Sequence, residues 1–277
     1  MNYAAIMVYV DTSNYVAARI NLACDIAAIC GARVIGISAS VPTPPVTASL
    51  RFGAKAGETL SLQQDDAEAD LRCSERLFRK IGGQRGCFLE WRCSINDPGH
   101  FVAHEARAAD LILIGQTIGE FASHQVARPA DLLSRTGRPI LVVPPMIDTS
   151  PFGAGAVIAW KDTREARRAL VDALPFLQKA GNVTVLEVAS IDRREAAHLQ
   201  TNDVAVFLSR HAIKSEAIVR SEDGRSVAKH ILAVAKEKQA GLIVMGGRAH
   251  ARLHDWTVGG DTYQMLKKTP ICLFLSN

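Results

Sequence analysis

The residues best suited to do chemistry in this chain crowd into one late stretch, Val244 to Asp261, which reads VMGGRAHARLHDWTVGGD. An apolar run stops on Gly246 and Gly247, and a loop then carries Arg248, His250, Arg252 and His254. A second glycine pair, Gly259 and Gly260, precedes Asp261 and a short helical pattern. Glycines between a strand and a helix let backbone amides approach phosphate oxygens, and the helix N-terminus adds partial positive charge. Arginine adds a planar, permanently charged donor set. The chemistry implied is recognition of a phosphate or a similar anion. Neither of two common phosphate loops fits: GxxxxGK[ST] is absent, and these glycines follow a late strand whereas the dinucleotide GxGxxG follows the first.

Catalytic patterns are not evident. The chain has no GxSxG elbow, no HExxH and no cysteine–histidine arrangement with local support. His254 and Asp255 are neighbours, but adjacency in sequence does not make a catalytic pair, and they read as loop polarity. Six cysteines form no CxxC pair, which suits free thiols in a reducing cytoplasm. Cys87 and Cys93 are the two for which redox sensing is considered. The formal charge of +4, without a basic cluster, argues against a nucleic-acid surface. No apolar stretch reaches membrane-spanning length, and MNYAAIMVYVDTSN reads as a first strand and not as a leader.

The elements that must position the glycine loop occur twice. Ala109–Gln116 (ADLILIGQ) matches Ala240–Gly247 (AGLIVMGG), and Pro139 matches Pro270, both at an offset of 131 residues (240 − 109). Near the starts, Asp11-Thr12 matches Asp162-Thr163 at an offset of 151, so the first half holds 20 extra residues, placed in the proline- and glycine-rich stretch 40–61. The seam falls in PPMIDTSPFGAG, giving domains 1–147 and 148–277. Within each half strands alternate with helices. The closing runs Leu111–Ile114 and Ile140–Val143 are continuously apolar, as in strands covered on both faces. The expected fold is α/β: two tandem Rossmann-like domains of the adenine-nucleotide alpha hydrolase type, each a five-stranded parallel sheet with helices on both faces. Ligands in such sheets bind beyond the carboxyl ends of the strands.

On these features the chain resembles the universal stress protein family in its tandem form. The resemblance rests on VYVDTSN at the first strand end, the long helix, the late strand ending in glycine and the terminal Pro-plus-apolar strand. ATP-binding members carry Gly, two residues, Gly, nine residues, then Gly and Ser or Thr. Here those positions are Gly246, Ala249, Gly259 and Gly260, so the spacing survives while two letters change. The acid that ends the family's first strand is retained as Asp11 in the N-terminal half. In the C-terminal half the neighbourhood is Trp160-Lys161-Asp162, where Lys161 replaces the acid by strand-end position and a one-residue shift restores it as Asp162. In the N-terminal half the motif reads Gly115, Ile118, Arg128 and Pro129, and proline offers no amide to a phosphate.

The resemblance implies a nucleotide site in the C-terminal half formed by Trp160, Lys161, Gly246, Gly247, Arg248, His250, Gly259, Gly260 and Asp261. Its ligand would be ATP or another adenine nucleotide with magnesium, and a site that has lost its ligand is the other reading. It also implies that the halves pair through their last strands as an intramolecular pseudo-dimer, with further homodimerisation left open. Three roles follow: a nucleotide-responsive stress protein, a nucleotide-independent interaction protein of the same fold with an unknown protein partner, and a weak ATP hydrolase acting through Asp261 or His254. An enzymatic role is the least supported. Nucleic acid and membrane are not expected partners.

Overall fold

The computed structural model describes residues 2–42, 56–116, 126–247, 249–250, 257–258 and 260–277. In the first half the elements are β1 (Ala5–Tyr9), α1 (Val16–Cys30), β2 (Arg33–Ser40), α2 (Ala56–Gln84), β3 (Leu89–Ile95), α3 (Pro98–Glu105), β4 (Leu111–Gly115), α4 (Pro129–Arg135) and β5 (Ile140–Val143). In the second they are β6 (Gly155–Ala159), α5 (Arg164–Asp172), α6 (Leu174–Leu177), β7 (Val183–Ala189), α7 (Arg194–Arg210), β8 (Ser215–Ser221), α8 (Val227–Glu237) and β9 (Ala240–Gly246). The short strands β10 (Ala249–His250) and β11 (Thr257–Val258) follow, then α9 (Gly260–Lys268) and β12 (Cys272–Ser276).

Local chemistry sets several of these boundaries. The Asp97 carboxylate accepts the His100 amide at 2.7 Å, with Pro98 at the first position of α3, where its missing N–H costs nothing. Thr163 caps α5 by accepting the Ala166 amide at 3.3 Å. α1 stops at Gly31, whose φ of 69° turns the chain so that the Ala32 amide also reaches the Ala27 carbonyl, at 2.9 Å. Pro175 falls in the first turn of α6; lacking an amide hydrogen, it suits the start of a new turn and not the interior of a continuous helix.

The main-sheet strands form one ten-stranded sheet in the order β3-β2-β1-β4-β5-β12-β9-β6-β7-β8. Each half is parallel throughout and has the same internal order, and the halves meet where β5 pairs antiparallel with β12, Leu141 opposite Phe274. The two five-stranded sheets expected from the sequence are therefore fused edge to edge. Pairing these apolar edges with each other removes two open hydrogen-bonding edges. β4 and β5 are buried on both faces, in keeping with their continuous apolar runs.

Side chains on the two faces build two core layers. One contains Val8, Leu113, Ile158, Val185 and Phe274, the other Met7, Ile112, Val157, Leu186 and Leu273. The first layer crosses the seam, since the Phe176 ring centroid lies 5.9 Å from that of Tyr3 and 5.8 Å from that of Phe274. The Tyr3 hydroxyl donates to the Asp172 carbonyl at 2.5 Å across the same seam.

The extra residues of the first half lie only partly where the sequence placed them. Residues 43–55 lie outside the described residues, but α2 already begins at Ala56 and runs 29 residues, against 17 for α7 at the same place in the second half. Part of the insertion is thus helix. The glycine and proline content hid this, because the breakers end before residue 58 while the helix-forming run beyond them is continuous.

Candidate functional site

In the second half a cleft of about 230 Å³ opens at the carboxyl ends of β6, β7 and β9. Its walls come from Ala159, Trp160 and Lys161 after β6, Leu186 of β7, Met245 and Gly246 of β9, Val227 and Ile231 of α8, and Gly260 and Thr262 of α9. This is where the strand order reverses direction between β6 and β9, the position at which open α/β sheets leave room for a ligand. Thr163 and Ala166, from the start of α5, complete it.

Four of the residues singled out in the sequence meet here: Trp160, Lys161, Gly246 and Gly260. Lys161 is exposed and makes no ion pair among the described residues. Strand register decides its equivalence. Ile6 lies beside Leu111 and Ala156 beside Leu242, and Leu111 and Leu242 carry the repeat offset of 131 residues. Counting five residues on from each leads from Ile6 to Asp11 and from Ala156 to Lys161, so a cation stands at the end of β6 where the first half has an acid. Asp162 is turned to Arg167, which donates to it at 2.6 Å.

Gly260 has open space where a Cβ would stand. At Gly246 a Cβ would fall 2.5 Å from the Ala166 amide nitrogen, so the absence of a side chain there admits the first turn of α5. Gly247 is elsewhere: it is not a cleft residue, its missing side chain makes room for Leu133 of α4, and its amide donates to the Ser276 carbonyl at 2.8 Å. Ala249 lies in β10 opposite Val258, an extended conformation that needs no glycine. Arg248 and Gly259 lie outside the described residues, as do the side chains of His250 and Asp261.

Trp160 is 8% exposed and lines both this cleft and a second cavity, of about 430 Å³, between α5 and α7. Its indole N–H has no hydrogen-bond partner among the described residues. The α8 N-terminus supplies a further anion-attracting feature, because the Ser226 side chain does not cap it and donates to Gln264 Oε1 at 3.2 Å instead. The loop before α8 is fixed by Asp223, which accepts from Arg225 and lies 2.9 Å from His230 Nε2. Hydrogen bonding from Arg225 holds the Asp223 carboxyl far below the usual carboxylate range. No group of three or more histidine, cysteine, aspartate or glutamate side chains is placed to hold a metal among the described residues.

The first half fills the corresponding space. The residue equivalent to Ala159 by register is Tyr9, 1% exposed and packed in the same core layer as Ala127. Burial pushes its hydroxyl above the usual tyrosine range. On the other face of β1, Arg19 passes under Gly115, donates to the Tyr9 carbonyl at 2.8 Å and pairs with Asp11 at 2.7 Å. The retained acid is held inside its own half by a 3% exposed arginine. Sequence reading missed Tyr9, Ala159 and Arg19; aligning the repeat by strand register at positions 9 and 159 was the signal that exposes the first two.

No protein-family model and no curated protein matches the chain. Solved structures do. A universal stress protein from Archaeoglobus fulgidus DSM 4304 superposes with a TM-score of 0.73 over 99% of this chain and 98% of its own, at 17% identity. A protein of unknown function from Pseudomonas aeruginosa PAO1 gives 0.60 at 12% identity, covering 99% of this chain and 92% of its own. A candidate universal stress protein from Pseudomonas aeruginosa UCBPP-PA14 gives 0.58 at 14% identity, over 99% and 93%. With its whole length superposed on the first of these and the strand order repeated in both halves, the chain has the universal stress protein fold.

Proposed function

We propose that this is a tandem universal stress protein in which 148–277 is a ligand-responsive domain and 1–147 its structural counterpart, together acting as a stress-response scaffold or regulator in the cytoplasm. The ligand is an adenine nucleotide. The observation that carries this is the open cleft at Ala159 in the second half, set against Tyr9 in the first. An aromatic base fits against Trp160, Leu186 and Met245. Phosphates fit toward Lys161, the uncapped start of α8 and the Gly260 amide, with Arg248, His250, Gly259 and Asp261 contributing from the loop. Among the described residues no carboxylate lines the cleft, so magnesium would be carried by the phosphates and water, with Asp261 the acid that the loop could add. Among the described residues no helix is long and apolar enough to cross a membrane.

A second reading, a nucleotide-independent interaction protein, draws on two features. Gly246 is explained by its contact with α5. The cleft of about 230 Å³ is smaller than the roughly 300–1,000 Å³ common for small-molecule pockets. Calorimetric titration of the full chain with ATP and magnesium separates the two, run beside Ala159→Tyr. Saturable binding at one site per chain, lost in the variant, is expected; no heat and no thermal shift at millimolar ATP would overturn the nucleotide reading and leave the interaction protein.

A further inference from the structure

We propose that Cys24 and Cys87 form a dithiol site that a hydroperoxide converts to a disulfide, a modification of the first half independent of any ligand in the second. The two are far apart in sequence. Cys24 is 1% exposed on the inward face of α1. Cys87 is half-buried in the short link from α2 to β3, against the same core layer. Both side chains pack into one core layer close enough for the thiols to interact, and the Cys87 thiol itself donates to the Arg85 carbonyl at 4.0 Å. A second tie holds the two segments in place, because Arg85 pairs with Asp25, the residue after Cys24. Gly86, with φ of 67°, provides the left-handed turn between Arg85 and Cys87.

Access and ionisation order the reaction. Burial pushes the Cys24 thiol up to about 12, so it stays protonated while the half-buried Cys87 meets the oxidant. The Cys87 thiolate attacks the outer peroxide oxygen; the S–O bond forms, the O–O bond breaks, and water or an alcohol leaves. Cys24 sulfur then attacks the Cys87 sulfenic sulfur. The S–S bond forms, and the departing hydroxide takes the Cys24 proton and leaves as water. Two thiols are oxidised by two electrons and one hydroperoxide is reduced. The product staples α1 to the entrance of β3, the edge strand of this half.

The test uses the full chain carrying Cys73→Ser and Cys93→Ser, which removes the two exposed thiols. After stoichiometric hydrogen peroxide, intact mass should fall by two hydrogens with no oxygen gained. Peptide mapping should show a Cys24–Cys87 cross-link that dithiothreitol reverses. Adding Cys24→Ala should leave Cys87 as a sulfenic acid that dimedone traps. Oxygen gained at Cys87 while Cys24 remains free to alkylate after unfolding would overturn the proposal, as would the same two-hydrogen loss in the Cys24→Ala chain.

Discussion

The ends of β1 and β6 are the same place in two copies of one design, and they have diverged in opposite senses. At β1, Tyr9 closes one face and the Arg19–Asp11 pair lies on the other. At β6, Ala159 leaves one face open and Lys161 stands free in solvent. One strand end is satisfied by its own side chains, while the other presents a cation beside an apolar cleft. The comparison shows that an open or a filled cleft in a duplicated fold turns on a few side chains that vacate or occupy one space, with the backbone held fixed by the shared sheet.

The comparison can be broken most severely at Tyr9. Tyr9→Ala should cost about 3–5 kcal/mol, read as a lower urea midpoint, and should open a cleft in the first half; an unchanged midpoint would show that the ring does not fill that space. Arg19→Ala comes next, at roughly 3 kcal/mol, because it strands Asp11 beside a buried gap. Thermal unfolding of Arg19→Ala and of the Arg19→Ala, Asp11→Ala double variant checks this, and the double variant should recover part of the loss.

The converse change, Ala159→Tyr, should leave stability within about 1 kcal/mol, since the ring enters open space, yet abolish the saturable ATP titration. Lys161→Glu should weaken ATP binding about tenfold, on the order of 1.4 kcal/mol, with a smaller salt dependence than the parent and no change in unfolding. An affinity unaffected by reversing this charge would remove Lys161 from the site.

The smallest expected effect concerns Glu187 of β7, whose Oε2 has no partner among the described residues. Burial raises its carboxyl above the ordinary value of 4.5, against the opposing pull of Arg193. Its folded value lies above its unfolded one. The stability it contributes is therefore full below the ordinary carboxylate range and is lost as pH rises through the raised value. Glu187→Gln should match the parent near pH 4 and gain on it as pH rises, measured by urea unfolding across that range; a gap that is constant with pH would contradict this.

Much of this architecture was legible beforehand. Alternating apolar runs and helical patterns located the main-sheet strands, since strands buried on both faces leave an unbroken apolar signature such as LILIG at β4. The Asp97-Pro98 start of α3 rests on a local signal, because capping acts over a few residues. The start of α2 was obscured by the breakers just before it. Of the site, Trp160, Lys161, Gly246 and Gly260 were named in advance and meet in the cleft. Gly247 was named with them, yet it packs on Leu133 from the other half, a contact between residues too far apart for any local pattern to report.

The sequence by itself determined the repeat, the α/β alternation and the glycine spacing, because periodicity, turn chemistry and capping act over a few residues. Only the tertiary structure decided the antiparallel register in which the last strands join the two sheets, that Lys161 and not Asp162 stands where Asp11 does, and that Tyr9 and Arg19 occupy one half while the other is open. Each of those depends on register between strands distant in the chain and on which side chains share a volume, and close packing settles both only once the whole sheet is assembled.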